Sequence, residues 1–277
     1  MPDPINDSWI YATIFIVNQW NKGGSGFLVA RETKKGKGLI FLVTNKHIIH
    51  TDDQTRQSAT HVKLNFNIKN NDGPVSGHSE NFPLIQGGCQ KNWHEHPDRN
   101  VDVLAINVTP LLNQYPLMER RWSTYSHFID QEKMDKWDIK IGDEILVIGY
   151  PLGITQGDNN FPLIRSGIIS SRIGTTIEDY CQFPNQQPTR RIIRGFLTDR
   201  AAFPGSSGSP VVLKPTTNRF IKGVMQPKLP PAMLLGIISQ TKYKPVIKST
   251  GEIISYEGLG IAFDAKTIKE TIELFFQ

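Results

Sequence analysis

Phe203-Pro204-Gly205-Ser206-Ser207-Gly208-Ser209-Pro210 is the stretch on which the reading of this chain turns. A serine hydroxyl is a poor nucleophile until a base takes its proton. The oxyanion formed by its attack needs backbone N–H groups already aimed at it. A tight Gly-X-Ser-Gly turn serves both needs: Gly205 lets the main chain turn its N–H outward, Ser207 offers its own N–H and its hydroxyl, and Gly208 relieves crowding just beyond. Ser206 and Ser209 are rival hydroxyls. Only Ser207 has glycine on its C-terminal side and glycine two residues before it. Taken alone, the segment reads more readily as an ordinary Gly/Ser loop.

Two upstream segments supply a base and its orienting acid. Leu42-Val43-Thr44-Asn45-Lys46-His47-Ile48-Ile49 reads as a buried strand ending in Thr-Asn-Lys-His, and Asn100-Val101-Asp102-Val103-Leu104-Ala105-Ile106 as an acid leading into an apolar strand. The order is His, Asp, Ser, with gaps of 55 and 105 residues. That order differs from those of the subtilisins and α/β-hydrolases. Asp98 is the rival acid, but it lies in a Pro-Asp-Arg-Asn loop, whereas Asp102 heads the strand.

The surrounding pattern is β-rich. Ile10–Val17, Gly26–Arg31, Leu39–Thr44, His61–Ile68 and Val101–Val108 read as short strands. Val62, Leu64, Phe66 and Ile68 give the period of two expected of a half-buried strand. Residues 110–140 change character and read as a connection, with a short helix among Trp122, Phe128, Met134 and Trp137. Strands resume at Glu144–Gly149, Ile164–Ser170, Arg191–Leu197, Pro210–Leu213, Phe220–Met225, Leu234–Gln240 and Leu259–Phe263. Ala265–Phe275 places Ile268, Ile272 and Phe275 on one helical face, as a terminal helix packed on the body requires.

More of the chain then falls into place. Gly24-Ser25-Gly26-Phe27, Gly142-Asp143-Glu144-Ile145 running to Gly149-Tyr150-Pro151-Leu152-Gly153, Ser166-Gly167-Ile168-Ile169-Ser170, Thr198-Asp199, Gly236-Ile237-Ile238-Ser239 and Gly258-Leu259-Gly260-Ile261-Ala262 occur in that order. With the three segments above, the chain resembles the trypsin/chymotrypsin superfamily, closest to bacterial Deg-type trypsin-like peptidase domains, over roughly residues 9–275. The resemblance implies an all-β fold of two six-stranded antiparallel β-barrels, chymotrypsin-like, with a C-terminal helix. Residues 1–115 are expected to form the barrel carrying His47 and Asp102, 116–140 the inter-barrel connection, and 141–277 the barrel carrying Ser207 plus the helix. It implies a serine endopeptidase with His47, Asp102 and Ser207 as triad and the N–H groups of Gly205 and Ser207 as oxyanion hole. The competing reading is a latent or non-catalytic interaction module of the same fold, activated by a partner.

Substrate contacts follow from the same resemblance. Ala201 is expected at the floor of the primary specificity pocket, Thr241 at its wall, and Ser239 and Gly260 on strands lining the substrate. An alanine floor cannot pair a buried cation, so small or medium apolar residues are expected before the cut. Ser206 stands where digestive trypsins carry an Asp that pairs with a new N-terminus, so activation by that salt bridge is not expected. No PDZ domain is expected after the protease unit. Arg165, near the expected cleft, is read either as a substrate or carboxylate contact or as a surface arginine covering apolar neighbours.

Composition narrows the classes. The chain has 277 residues, 38% of them hydrophobic, enough to bury a core without metals or disulfides. The net charge of +5 is modest, and the group Lys34-Lys35-Gly36-Lys37 reads as a solvated turn rather than a nucleic-acid stripe. Cys89 and Cys181 are the only cysteines, and nothing in their spacing demands a bridge. Such poverty suits a reducing compartment. With no secretory leader pattern at the start, a soluble cytoplasmic protein is expected. His94 and His96 flank Glu95, but no further ligand cluster follows, so no metal and no cofactor is expected. His50 is read as an exit from the His47 turn. The expected partners are a protein or peptide substrate and a regulatory protein, with neither nucleic acid nor membrane.

Overall fold

A computed structural model describes residues 6–32, 38–51, 56–70, 75–87, 90–181, 189–199, 203–216, 219–221, 223–226, 232–241, 245–247, 253–255 and 259–277. The Lys34–Lys37 turn, Cys89 and Ala201 lie outside these residues, so neither a Cys89–Cys181 bridge nor the pocket floor is addressed.

The described residues form two main antiparallel sheets. The first is built from Thr13–Asn18 (β1), Gly23–Glu32 (β2), Gly38–Thr44 (β3), His61–Lys69 (β4), Val75–Pro83 (β5), Trp93–Glu95 (β6), Leu104–Asn107 (β7) and Met118–Glu119 (β8). Its path is β8-β4-β1-β2-β3-β7-β6, with β5 paired to β4. The second contains Glu144–Gly149 (β9), Leu163–Ile168 (β10), Thr175–Cys181 (β11), Thr189–Thr198 (β12), Pro210–Leu213 (β13), Leu234–Thr241 (β14) and Gly260–Asp264 (β15). Its path is β10-β9-β13-β14-β15-β12-β11. The all-β, two-sheet architecture with a terminal helix is as expected, with eight and seven strands rather than six in each.

Burial explains why β2 and β3 read as continuous apolar runs. Successive side chains of a strand point to opposite faces, and here both faces are covered. Phe27, Val29, Phe41 and Val43 join a core shared with Ile145, Val147, Val211 and Ile237 of the second sheet. Leu28, Ile40 and Leu42 point the other way, into a core with Ile14, Ile16, Val62 and Leu64. Each fully buried Leu, Ile or Phe contributes about 1.5–3 kcal/mol. The register Phe27↔Val43 and Thr44↔Leu104 brings the ends of β3 and β7 side by side, and with them the two segments that carry His47 and Asp102.

Several boundaries differ from the sequence reading. Residues 10–12 belong to a helix, Asn6–Ala12 (α1), which buries Trp9 edge-on against Phe27. Thr13 Oγ1 donates to Trp9 O and closes it. Residues 101–103 are not strand: Val101 N donates to Asp98 O, a local turn that keeps them off the sheet. Phe220–Met225 is a hairpin of Arg219–Ile221 and Val224–Gln226, turned at Gly223 with φ +80°. The 110–140 connection carries two short helices, Thr109–Gln114 (α3) and Gln131–Trp137 (α4), the latter capped by Asp130 accepting from Lys133 N. A one-turn helix, Lys46–Ile49 (α2), follows β3. The terminal helix, Ala265–Glu273 (α5), starts with Asp264 accepting from Thr267 N and buries Ile268 and Ile272, with Phe275 packed beside them.

Candidate active site

His47 enters the site because β3 stops at Thr44. Asn45 is extended, and the chain then turns into α2, placing His47 at the second helical position. His50 is the C-cap, its N–H donating to Lys46 O, which agrees with its reading as the exit from this turn. Across from it, Asp102 sits on the turn before β7. His47 Nδ1 lies 2.6 Å from Asp102 Oδ2, and His47 N donates to Asp102 Oδ1 at 3.2 Å. Ser239 Oγ donates to the same Oδ2 at 2.5 Å. Ser239, expected as a substrate contact, thus turns its side chain to Asp102, while its carbonyl accepts from the Ser207 hydroxyl.

Asp102 has only 8% of its side chain exposed, against 28% for His47. Burial alone would raise this carboxyl. The charge of His47, its hydrogen bonds and the Ser239 hydroxyl outweigh burial and hold the group down at about 2, against an ordinary 3.8. An acid kept ionised beside Nδ1 fixes the imidazole with Nδ1–H inward and Nε2 as the basic face. Asp98, the rival, accepts from Asn100 N through Oδ1 and stays within its own loop.

Ser207 comes from the turn before β13. Gly205 and Gly208 both have φ +88°, a left-handed geometry that glycine adopts without strain. A Cβ on Gly208 would lie 1.8 Å from Ser25 O, and one on Gly205 would lie 2.2 Å from Tyr150 O. The turn is pinned from both sides. Leu152 N donates to Pro204 O (2.6 Å), Ser25 N to Ser207 O (2.7 Å) and Gly208 N to Ile238 O (2.8 Å). Ser25 Oγ accepts from Tyr150 N (3.0 Å) and donates to Gly205 O (2.8 Å). Pro204 O is so engaged and Ser206 O accepts from Ser209 N (3.0 Å), and the N–H groups of Gly205 and Ser207, which share those two peptides, donate to nothing among the described residues.

The hydroxyl of Ser207, the nucleophile candidate, bonds a group other than His47. Ser207 Oγ donates to Ser239 O at 2.8 Å, and among the described residues no hydrogen bond joins it to His47 Nε2. Ser206 and Ser209, the rival hydroxyls, are buried at 1% and 0% exposure, where no substrate carbonyl reaches them.

The remaining singled-out residues are placed as follows. The backbones of Gly260 and Thr241 pair with each other at the β14–β15 junction, next to Ser239. Arg165 stacks its guanidinium 4.3 Å from the centre of the Phe203 ring, at the start of the Ser207 turn. His94 packs edge-on against Phe275, and His96 Nε2 bonds Glu270 Oε2 at 2.9 Å. Among the described residues no group of three or more His, Cys, Asp or Glu side chains could hold a metal ion. The residue that sequence reasoning passed over is Ser25. The sequence places it only in a strand motif, yet it bonds both Gly205 and Ser207, the residues expected to supply the oxyanion donors. A serine between two glycines, at the end of an otherwise apolar strand, was the available signal.

Residues 24–221 match the family described as Trypsin-like peptidase domain. Among solved structures, the chain is similar to Rv3671c from M. tuberculosis H37Rv. The inactive form of its serine-to-alanine mutant has 14% identity over 99% of this chain and 93% of that one, with a TM-score of 0.49. The inactive form of the Rv3671c protease matches at 14% identity over 99% and 96%, with a TM-score of 0.48. Its active form matches at 14% over 98% and 86%, with a TM-score of 0.45. No curated protein matches the sequence. No helix among the described residues is long and apolar enough to cross a membrane.

Proposed function

The chain belongs to the trypsin-like peptidase domain family, and from that premise we propose that it is a serine endopeptidase acting on proteins or peptides through His47, Asp102 and Ser207. The observation that carries this reading is the pairing of a buried, ionised Asp102 with His47 Nδ1, together with the N–H groups of Gly205 and Ser207, which donate to nothing among the described residues. Rotation about the Ser207 side-chain bond exchanges Ser239 O for His47 Nε2 as acceptor, a motion of picoseconds to nanoseconds in a partly exposed side chain. Ser207 Oγ then attacks the scissile carbonyl carbon as its proton passes to Nε2. The carbonyl oxygen takes the negative charge and is met by the N–H groups of Gly205 and Ser207. Collapse breaks the C–N bond, His47 returns the proton to the leaving amine, and an acyl-enzyme remains. Water, deprotonated by the same histidine, releases the second product and restores Ser207.

Specificity for small or medium apolar residues before the cut rests on Ala201 and Thr241. The low cysteine content supports a cytoplasmic setting. Incubating the full chain with an unfolded protein such as reduced casein, and reading new N-termini by mass spectrometry, tests the reading. Cleavage with recurrent apolar residues before the new termini is expected. Intact casein with the wild-type chain folded would contradict it.

One observation favours a second reading, a latent module of the same fold. Ser207 Oγ rests on Ser239 O rather than on the base. A partner that orders the nucleophile would then be needed, and turnover by the isolated chain would eliminate that reading.

A further inference from the structure

The residue directly before His47 is a lysine with a buried ammonium. Lys46 is 7% exposed, and its Nζ donates to His96 O at 2.7 Å and to Asp98 O at 3.0 Å. Among the described residues it has no carboxylate within ion-pair distance. Burying a cation against neutral carbonyls is costly. Desolvation accordingly lowers the Lys46 pKa, while Glu95, Asp102 and Asp98 act to raise it and Arg56 to lower it.

Those two carbonyls belong to the chain segment that delivers Asp102. It runs from β6 through His96 and Asp98 to the turn at Val101. It closes on itself through His96 N to Val103 O (2.9 Å), Val101 N to Asp98 O (3.1 Å) and Asp98 N to His96 Nδ1 (3.1 Å). The residue before Lys46 adds a further tie, as Asn45 Nδ2 donates to Asp102 O at 2.6 Å. Three hydrogen bonds from the two residues preceding His47 therefore land on the segment bearing its acid. Two of them are charge-assisted, the stronger kind.

We propose that Lys46 is a positioning residue: its buried ammonium clamps the His96–Asp102 segment onto the His47 turn and so sets the distance at which the Asp102 carboxylate meets His47 Nδ1. The geometry explains the expense. Strand pairing ends at Thr44↔Leu104, so beyond that point no sheet hydrogen bond fixes the separation of the two segments. Lysine supplies a long reach and several donors where the sheet supplies none. The assignment rests on the peptidase reading for its effect on rate, but not for its effect on the His47–Asp102 bond.

The test uses the full chain and its Lys46→Met variant, which keeps the apolar stem and removes the donors. Two quantities are read: the rate of labelling by a fluorescent fluorophosphonate, and the strongly deshielded proton NMR signal of His47 Nδ1–H. Unfolding temperature and near-UV circular dichroism report folding, and Lys63→Met, on the exposed face of β4, is the control expected to match wild type. The expected result is a folded Lys46→Met chain labelled about 10- to 100-fold more slowly, with the Nδ1–H signal moved upfield or broadened. A folded variant with the signal in place and labelling within about twofold of wild type would overturn the proposal. If Lys46→Met does not fold, Lys46→Gln, which keeps a polar but uncharged end on a shorter stem, is read the same way. A chain that folds with neither substitution makes Lys46 a structural residue and also overturns the assignment. If wild type fails to label at all, the peptidase reading falls, and the NMR signal alone decides the role of Lys46.

Discussion

His47 and Ser207 are held in contrasting ways. The His47 side is fastened at the side chain. Asp102 receives the ring Nδ1–H, the His47 backbone N–H and the Ser239 hydroxyl, and its own carbonyl is tied to Asn45. The Ser207 side is fastened at the backbone. The carbonyls of Pro204, Gly205 and Ser207 are all engaged, while the hydroxyl rests on Ser239 O. On the proposed reading, general base and oxyanion donors are thus preset, and one rotamer of one serine separates this arrangement from an attacking one. Ser239 serves both sides, its hydroxyl bonding Asp102 and its carbonyl accepting from the Ser207 hydroxyl.

The comparison yields graded expectations. Ser207→Ala and His47→Ala should each abolish peptide hydrolysis, by about 10⁶-fold in kcat, and the double variant should lose no more, because the pair acts as a unit. Additive losses in a steady-state assay would mean that the two do not work together. Asp102→Asn should keep the fold but cost about 10⁴-fold in kcat by admitting the wrong imidazole tautomer. A rate near that of wild type would break the claim that the acid sets the base.

Gly205→Ala forces a Cβ against Tyr150 O and should displace one oxyanion donor, at a cost of about 10²–10³-fold in kcat with KM little changed. Ser25→Ala removes the hydroxyl bridging Tyr150 N and Gly205 O and should cost less, about tenfold in kcat. A larger loss than that of Gly205→Ala would show that the turn depends on the first sheet more than on its own glycines.

The smallest effect concerns pH. Asp102 is held at about 2 in the folded chain against 3.8, so it contributes stability above pH 3.8 that is lost as pH falls toward 2. The contribution is about 2 kcal/mol. Ser239→Ala removes one hydrogen bond from the carboxylate, should raise its pKa, and should move the acid-unfolding midpoint upward. An unchanged midpoint in circular dichroism would mean that the hydroxyl does not stabilise the charge.

Much of this was legible in the sequence because it is written in local patterns. β9 and β13 matched their expected bounds, since each is an apolar run between turn residues. The order of His47, Asp102 and Ser207 needed only three short segments. Other features were not legible, for physical reasons. β5, Val75–Pro83, is polar and mostly exposed, and it is strand only because β4 offers it an edge. Residues 101–103 look like the start of a strand, yet Val101 N bonds the Asp98 turn and Asp102 O accepts from the Asn45 side chain. The direction of the Ser239 side chain depends on a contact 137 residues away. No periodicity encodes such a contact, and the same holds for Ser25 and Lys46, whose partners are carbonyls of distant segments.

The most direct test of the central claim is active-site labelling of the purified chain with a fluorescent fluorophosphonate, beside Ser207→Ala and His47→Ala. The account predicts covalent labelling of wild type, at Ser207 by peptide mapping, and none of either variant. A folded wild-type chain that stays unlabelled, or labelling that survives in Ser207→Ala, would contradict it.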